Sequence, residues 1–387
     1  SPQAQEKPEV NFAPFEHIAG HKVSRGNGGM LLIDGAQTFS SIFQAIDAAQ
    51  KYILIQYYTI RADTLGMELQ AHLLQAAARG VSVWFMTDRI GSHSLSHSFT
   101  ETLSAAGINV IDPSIHRRPW DRLRINFRNH RKTVVVDGKT GFTGGLNVGN
   151  EYNGLDPVFG AWRDTHLTLN GPIVKQLQLT LLEDWYWHTR EQIQDQLSWE
   201  PDTSFQDRPA LIASTGPGDT AGDGSLLFFA AISAAQQRAW LASPYFVPDQ
   251  EVCAALKHAA LRGVDVRILL PERIDHYLPW LAAFAFFDGL REAGVRIYRY
   301  QDGFMHQKCF VIDNCITGIG TANLDNRSFR LNFETTALFF DHQSAAELAA
   351  MLVQDFSNST ELTQALAEQN WRIRLFAPVA RLFAPVL

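Results

Sequence analysis

The chain carries one pattern twice, and this duplication limits its fold more than any other feature. Asn129 to Asn150 reads NHRKTVVVDGKTGFTGGLNVGN, and Met305 to Asn326 reads MHQKCFVIDNCITGIGTANLDN. Without a gap, His130 matches His306, Lys132 matches Lys308 and Asp137 matches Asp313. Gly144 then matches Gly320, Asn147 matches Asn323 and Asn150 matches Asn326. The spacing H-x-K-x4-D-x6-G-x-x-N does not recur at one constant offset by accident. The runs VVV and CFVI are short, apolar and β-branched or aromatic, which predicts buried strands. Residues i and i+2 of a strand share a face, so each His is expected beside its Lys, and Cys309 on the opposite side.

The duplication runs well beyond these motifs. AIDAAQKYILIQYYTI (Ala45 to Ile60) resembles AISAAQQRAWLASPYFV (Ala231 to Val247), and ARGVSVWFMTDRIG from Ala78 resembles LRGVDVRILLPERID from Leu261. LSAAGINVI from Leu103 resembles LREAGVRIY from Leu290. Each half therefore alternates helices and strands, which predicts the α/β class, a mixed or mostly parallel sheet covered by helices. A pseudo-two-fold axis between the halves would bring both motifs into one shared site. The expected organisation is a polar lead (1–25), a first half (26–197), a linker and loop rich in Pro, Gly, Asp and Ser (198–224), a second half (225–370) and a basic, apolar tail (371–387).

Hydrophobic residues make up 46% and charged residues 19% of the 387, the balance of a folded globular chain. A formal net charge of -7 opposes a dedicated nucleic-acid binder, so no nucleic-acid partner is expected. Cys253, Cys309 and Cys315 give neither a disulfide framework nor a zinc spacing. No run reaches the roughly 18 apolar residues of a membrane span. The lead SPQAQEKPEV shows no secretory signal, and an anchoring segment preceding Ser1 is expected to be absent from this chain.

Two His, two Lys and two Asn converging on one site suit phosphodiester chemistry. Lys132, Lys308, Asn147 and Asn323 can hold the non-bridging oxygens. One neutral imidazole can attack phosphorus while a second, protonated one donates to the leaving alkoxide. Symmetry alone does not say which is which. Asp137 and Asp313, five residues after each Lys, are displaced from the catalytic face and are expected to support the motif structurally. Asp164 in AWRDTHL and Glu334 in LNFETTAL are the candidates for orienting the imidazoles, as an acid does in a triad. Tyr58 and Tyr245 follow the first strand of each half, and either packing or substrate contact suits them. His93 and His97 have helical spacing, but no acid joins them and a loop is the simpler reading.

The motif pair resembles that of the phospholipase D superfamily. NHRKTVVVDGKTGFTGGLNVGNEY, WRDTHLTLNGP, SPYFVPD and FMHQKCFVIDNCITGIGTANLDNRSFRLNFE resemble more narrowly its bacterial cardiolipin synthase branch, from about Leu31 to the C-terminus. Gln56 and Gln307 depart from that branch, which often has Glu and a small residue there. The resemblance implies a metal-free and cofactor-free phosphatidyltransferase working through a phosphatidyl-histidine. It implies His130 as nucleophile, His306 as acid and then base, and Lys132, Lys308, Asn147 and Asn323 as phosphate ligands, with Asp164 and Glu334 in support. The implied reaction joins two phosphatidylglycerols into cardiolipin and releases glycerol. Hydrolysis to phosphatidic acid is the alternative, and a nuclease of the superfamily a more distant one. The implied location is the bacterial inner membrane.

Three stretches favour anionic phospholipid and a membrane surface as partners. HRRPWDRLRINFRNHRK (His116 to Lys132) gathers arginines before the first motif, of which Arg124 and Arg128 are candidate headgroup ligands. The end, WRIRLFAPVARLFAPVL, mixes arginine with large apolar residues as an interfacial anchor does, although Pro378 and Pro385 oppose one long helix. DHYLPWLAAFAFFDGL (Asp275 to Leu290) suits a buried helix or the lining of an acyl groove.

Overall fold

The computed structural model describes residues 10–111, 128–200, 206–217 and 223–387. The apolar runs become strands and the amphipathic stretches between them become helices. In the first half, strands Tyr52–Tyr57, Ser82–Thr87 and Asn109–Ile111 pair in parallel, and Lys132–Val136 joins them antiparallel. The second half repeats this with Arg238–Ala242, Asp265–Pro271 and Arg296–Tyr300 in parallel and Cys309–Ile312 antiparallel. The helices between these strands begin in the same way. Asp63 accepts from the backbone N–H of Gly66 and Asp249 from that of Val252, capping Thr64–Ala78 and Gln250–Leu261.

Both half-sheets are mixed and belong to one continuous ladder. Strand Ser24–Ile33 pairs antiparallel with Thr165–Asn170 of the first half and, at its start, with Arg208–Thr215, which pairs antiparallel with Asn332–Phe339 of the second. Helices Ile173–Thr189 and His342–Ser357 contribute Leu177, Leu181, Leu348 and Leu352 to a core shared by both halves, beside Val135, Val311 and Ile319. The outer faces of the two half-sheets are covered by separate helix layers. Among the described residues no helix is long and apolar enough to cross a membrane.

Several elements depart from the sequence reading. The lead contains helix Ala13–Ala19, whose Phe15 is buried against Phe340 of the second half. Strand Arg208–Thr215 lies inside the expected linker, its apolar residues Ala210 to Ala213 hidden in sequence by the Pro, Gly and Asp around them. Trp371–Arg381 is a helix despite Pro378, held by Ile373, Ala377 and Ala380 packing into the second-half core. Helix Tyr277–Arg291 buries Leu281, Phe284, Phe287 and Leu290, so the apolar run is chiefly core. At the end of helix Ile173–Thr189, Trp185 is buried whereas Tyr186 and Trp187 are exposed beneath the Arg190 guanidinium.

The motif aspartates have a structural task in both halves. Asp137 and Asp313 adopt left-handed backbone conformations, φ 54° and 49°, at the turns after their strands. The Asp137 carboxylate accepts from the backbone N–H groups of Gln50, Lys51 and Tyr52 at 2.8, 2.8 and 2.9 Å. Asp313 does the same for Gln236, Gln237 and Arg238 at 2.9, 2.7 and 3.0 Å. Each carboxylate thus collects the free donors where the neighbouring strand begins. Asp313→Ala leaves three donors without this acceptor and should cost about 2–4 kcal/mol in urea unfolding. A loss below about 0.5 kcal/mol would show that the clamp contributes nothing.

Candidate active site

Neither motif His lies within its strand. Lys132–Val136 begins two residues after His130, and Cys309–Ile312 begins three after His306. The short segment before each His crosses to the other half. Arg128–Asn129 pairs in parallel with Asn332–Phe333, and Phe304–Met305 pairs in parallel with Trp162–Arg163. The chain must leave one ladder to enter another at the His, which is why the strand is interrupted there.

Each crossing aims one imidazole at one acid of the opposite half. The His130 N–H donates to Phe333 O at 3.0 Å, and His130 Nδ1 lies 3.0 Å from both carboxylate oxygens of the next residue, Glu334. The His306 N–H donates to Arg163 O at 2.8 Å, and His306 Nδ1 lies 2.9 Å from Oδ2 of the next residue, Asp164. Both acids are fully buried, and only the edges of the two imidazoles reach solvent. With Nδ1 engaged by the acid, Nε2 of His130 is left for chemistry, while Nε2 of His306 faces Lys308 Nζ.

The lysines point back at their own histidines. Lys132 Nζ donates to His130 O at 2.7 Å. Lys308 Nζ donates to His306 O and lies 2.8 and 3.1 Å from the ring nitrogens of His306. Asn147 accepts from the Thr59 N–H at 3.2 Å and donates to the Tyr152 hydroxyl at 3.1 Å, whereas the buried Asn323 Oδ1 has no protein partner. Tyr58 packs edge-on against His130, ring centres 5.0 Å apart, and Arg128 donates to its hydroxyl at 3.2 Å. The Tyr245 hydroxyl instead donates to Asp275. Arg124 lies outside the described residues. His93 lies in the loop before helix His97–Ala105, and His97 pairs with Glu101 at 3.0 Å.

A supporting layer escaped the sequence reading. Glu334 also accepts from Thr321, from Ser328 at 2.9 Å and from Asn332 at 3.1 Å. The residue between each His and Lys grips an acid on the last helix of its half. Arg131 donates to Asp184 at 2.7 Å, and Gln307 donates to Asp355 at 2.8 Å. Gln56 and Asn129 also donate to Asp184, and Arg163 forms a two-point pair with Asp355 at 2.8 and 2.9 Å. The two Gln departures thus belong to this layer. A repeat signal existed for Thr321, which matches Gly145. An added Cβ at Gly145 would lie 2.0 Å from Asp164 Oδ1, so one copy needs a bare backbone where the other supplies a hydroxyl. Asp184 and Asp355 sit in helices outside the quoted motifs, where nothing in the spacing marks them.

The profile of the family described as cardiolipin synthase, PLD-like domain, matches residues 42–156 and 228–358, so both halves are members of one type. Cardiolipin synthase A of Pseudomonas syringae pv. syringae is 48% identical over 361 residues, 92% of this chain and 74% of that protein. The chain belongs to the cardiolipin synthase family. Cardiolipin synthase A of Pseudomonas fluorescens is 49% identical over 362 residues, with the same shares covered. Phosphatidylserine synthase of Haemophilus influenzae Rd KW20 shares the fold, with a TM-score of 0.72 at 15% identity over 97% of this chain and 99% of that one. Polyphosphate kinase of Porphyromonas gingivalis shares it at a TM-score of 0.60 and 14% identity, over 94% of this chain and 53% of that one.

In this cardiolipin synthase-family site, burial governs the charges. It pushes Lys132 down to about 7 and Lys308 down to about 8, the neighbouring acids offsetting only part of the cost. Burial also lowers both imidazoles, His306 well below its ordinary value with Lys308 adding to the effect, so both are neutral at pH 7. Burial raises Asp164. It would raise Glu334 too, but His130, Lys132 and Thr321 outweigh it and hold that carboxyl below its usual range. An oxyanion held between the two lysines would lose its counter-charges as they deprotonate, with pH rising through about 7 to 8. Affinity for tungstate, whose charge is constant over this range, should fall by about tenfold or more between pH 6.5 and 9 in titration calorimetry. Constant affinity would show that both ammonium groups survive to pH 9.

Proposed function

We propose that this chain is a phosphatidyltransferase that joins two phosphatidylglycerol molecules into cardiolipin and releases glycerol. The observation that carries this reading is the reciprocal pair of imidazole–carboxylate contacts, with two buried lysines between them, in a chain of this family. His130 Nε2 attacks the phosphorus of the first lipid, and the N–P bond forms as the P–O bond to glycerol breaks. His306 gives its Nε2 proton to the departing glycerol oxygen. A glycerol hydroxyl of the second lipid then returns a proton to His306 and attacks phosphorus, and the N–P bond breaks. One diester is exchanged for another, so no energy source enters.

Each group has a stated share in this sequence. Ionised Glu334 holds the proton on His130 Nδ1, which leaves the Nε2 lone pair free and stabilises the cationic phosphatidyl-imidazole. His306 is neutral in the empty site, and an arriving phosphodiester anion favours its protonated form. Lys132 and Lys308 supply the donors for charge that gathers on the non-bridging oxygens, and the unpaired Asn323 Oδ1 is an acceptor for a hydroxyl of the lipid. The burial of both lysines and both acids supports transfer over hydrolysis, because water competes poorly in a closed site.

The partner of this chain is a lipid surface, and its C-terminal region is suited to one. Helix Trp371–Arg381 and the turn after it bury Ile373, Ala377, Ala380 and Ala384 and expose Trp371, Leu375, Val379, Leu382 and Phe383. Exposed Arg372, Arg374 and Arg381 lie among these residues, the mixture that binds anionic bilayers. The region is tied to the second motif. The Arg327 N–H donates to Leu387 O at 2.8 Å, and Asn326 donates to Ala384 O at 3.1 Å.

Two experiments test this reading. Phosphatidylglycerol vesicles incubated with the protein should yield cardiolipin and free glycerol by mass spectrometry, and His130→Ala should lose both the product and any acid-labile lipid adduct. Phosphatidic acid alone would make water the acceptor, and a surviving adduct would remove His130 from its role. The double variant Leu382→Asp, Phe383→Asp alters only exposed positions and should weaken sedimentation with anionic vesicles by about tenfold or more. Unchanged sedimentation would exclude this face from docking.

A further inference from the structure

The two halves differ at the one place where a pseudo-symmetric cleft would repeat itself. On the His130 side, the Tyr58 hydroxyl accepts from Arg128 at 3.2 Å, and Lys132 Nζ lies 5.5 Å from the centre of its ring. On the other side the Tyr245 hydroxyl donates to Asp275 and lies 3.0 Å from His276 Nδ1, which is itself 2.9 Å from Asp275 Oδ2. One tyrosine is held by a cation, the other by a carboxylate and an imidazole.

The difference is written in the repeat. ERIDH (272–276) follows the strand Asp265–Pro271, as DRIGSH (88–93) follows Ser82–Thr87. Whether Gly91 or Ser92 is set opposite Asp275, the first half has no acid there. Gly91 is pressed so closely on Tyr58 that an added Cβ would lie 2.2 Å from its carbonyl oxygen, and Ser92 donates to that carbonyl at 3.0 Å. The first loop thus supports the backbone of its tyrosine, whereas the second presents polar side chains to the hydroxyl.

These side chains are accessible and belong to the His306 side. The Asp275 side chain is 15% exposed and that of His276 is 70% exposed. In the same loop Arg273 donates to Phe159 O at 2.7 Å, the Phe159 ring packs 5.4 Å from Trp162, and Trp162 packs 5.2 Å from His306. Asp275 lies within electrostatic reach of both His306 and Lys308.

We propose that Tyr245, Asp275 and His276 form the subsite for a glycerol headgroup, holding its vicinal hydroxyls while His306 exchanges a proton with the reacting oxygen. The proposal rests on the reading of His306 as the group that protonates the leaving alcohol. A diol needs an acceptor and donors at fixed separation, and the three side chains supply them. The Asp275–His276 pair is nearly neutral when His276 is protonated, a state that the bond to Asp275 favours. It therefore offers hydrogen bonds rather than net charge, which suits a polyol better than an ammonium or a phosphate. The departing group is free glycerol and the arriving one is the glycerol headgroup of the second lipid, which keeps its central hydroxyl beside the reacting one, so one subsite serves both steps. Tyr58 and Arg128 are left for the phosphatidyl side.

The test is acceptor competition. The full chain is incubated with phosphatidylglycerol vesicles and equal concentrations of deuterated glycerol, 1-propanol and ethanolamine, and the exchanged lipids are quantified by mass spectrometry. The unaltered protein should favour glycerol over propanol. Asp275→Ala should reduce that ratio by about tenfold, the loss of one or two hydrogen bonds to the arriving glycerol, because the ratio cancels the first step that both acceptors share. An unchanged ratio overturns the proposal, as does a preference of the unaltered protein for ethanolamine. If Asp275→Ala loses all transfer, Asp275→Asn decides, and a ratio equal to that of the unaltered protein overturns it. Failure of the underlying reading is separate, since the unaltered protein would then transfer to no alcohol, or His130→Ala would retain transfer.

Discussion

Everything in this site depends on two imidazoles that are each fixed to the opposite half of the molecule. A His held only by its own loop would sample several rotamers, and ordering it would cost entropy at every turnover. Here the backbone N–H and the ring Nδ1 of one residue are both anchored to two consecutive residues across the interface, Phe333 and Glu334 or Arg163 and Asp164. Neither half alone holds an imidazole paired to its acid. Duplication thus creates a functional site at the interface rather than two weak ones.

The electrostatic arrangement follows from that burial. Lys132, Lys308, Asp164 and Glu334 are all removed from solvent, and such charges persist in a protein only when they balance one another. Two cations against two carboxylates leave the empty site close to neutral, with both imidazoles uncharged. A bound phosphodiester would add one negative charge to this balance, and so favour protonated lysines and the protonated imidazole that a leaving alcohol needs. The supporting layer keeps these groups from relaxing toward one another. Asp184 and Asp355 fix the residue between each His and Lys from a helix of the same half.

Pseudo-symmetry is retained where phosphorus chemistry is symmetric and lost where the substrate is not. The His, Lys and crossing strands repeat closely. Gly145 opposite Thr321, the satisfied Asn147 opposite Asn323 with its Oδ1 unpaired, and Tyr58 with Arg128 opposite Tyr245 with Asp275 do not. A lipid diester has a diacylglycerol on one side of phosphorus and a small alcohol on the other, so a cleft that handles it has reason to differ on its two sides.

The sequence by itself determined the duplication, the α/β class, the two His-Lys pairs and the acids that serve them. Repeated spacing is a one-dimensional record of repeated structure, and strand alternation follows from backbone geometry. It did not determine which acid meets which His, because that pairing crosses between segments far apart in the chain. It placed each His inside a strand, whereas the competition of two ladders for one segment breaks the strand there. It hid Arg208–Thr215 among turn-forming residues and Asp184 and Asp355 inside helices, since burial by distant partners leaves no local periodicity. Only the tertiary structure decided those contacts, because hydrogen bonds between the halves depend on positions in space that neighbouring residues do not encode.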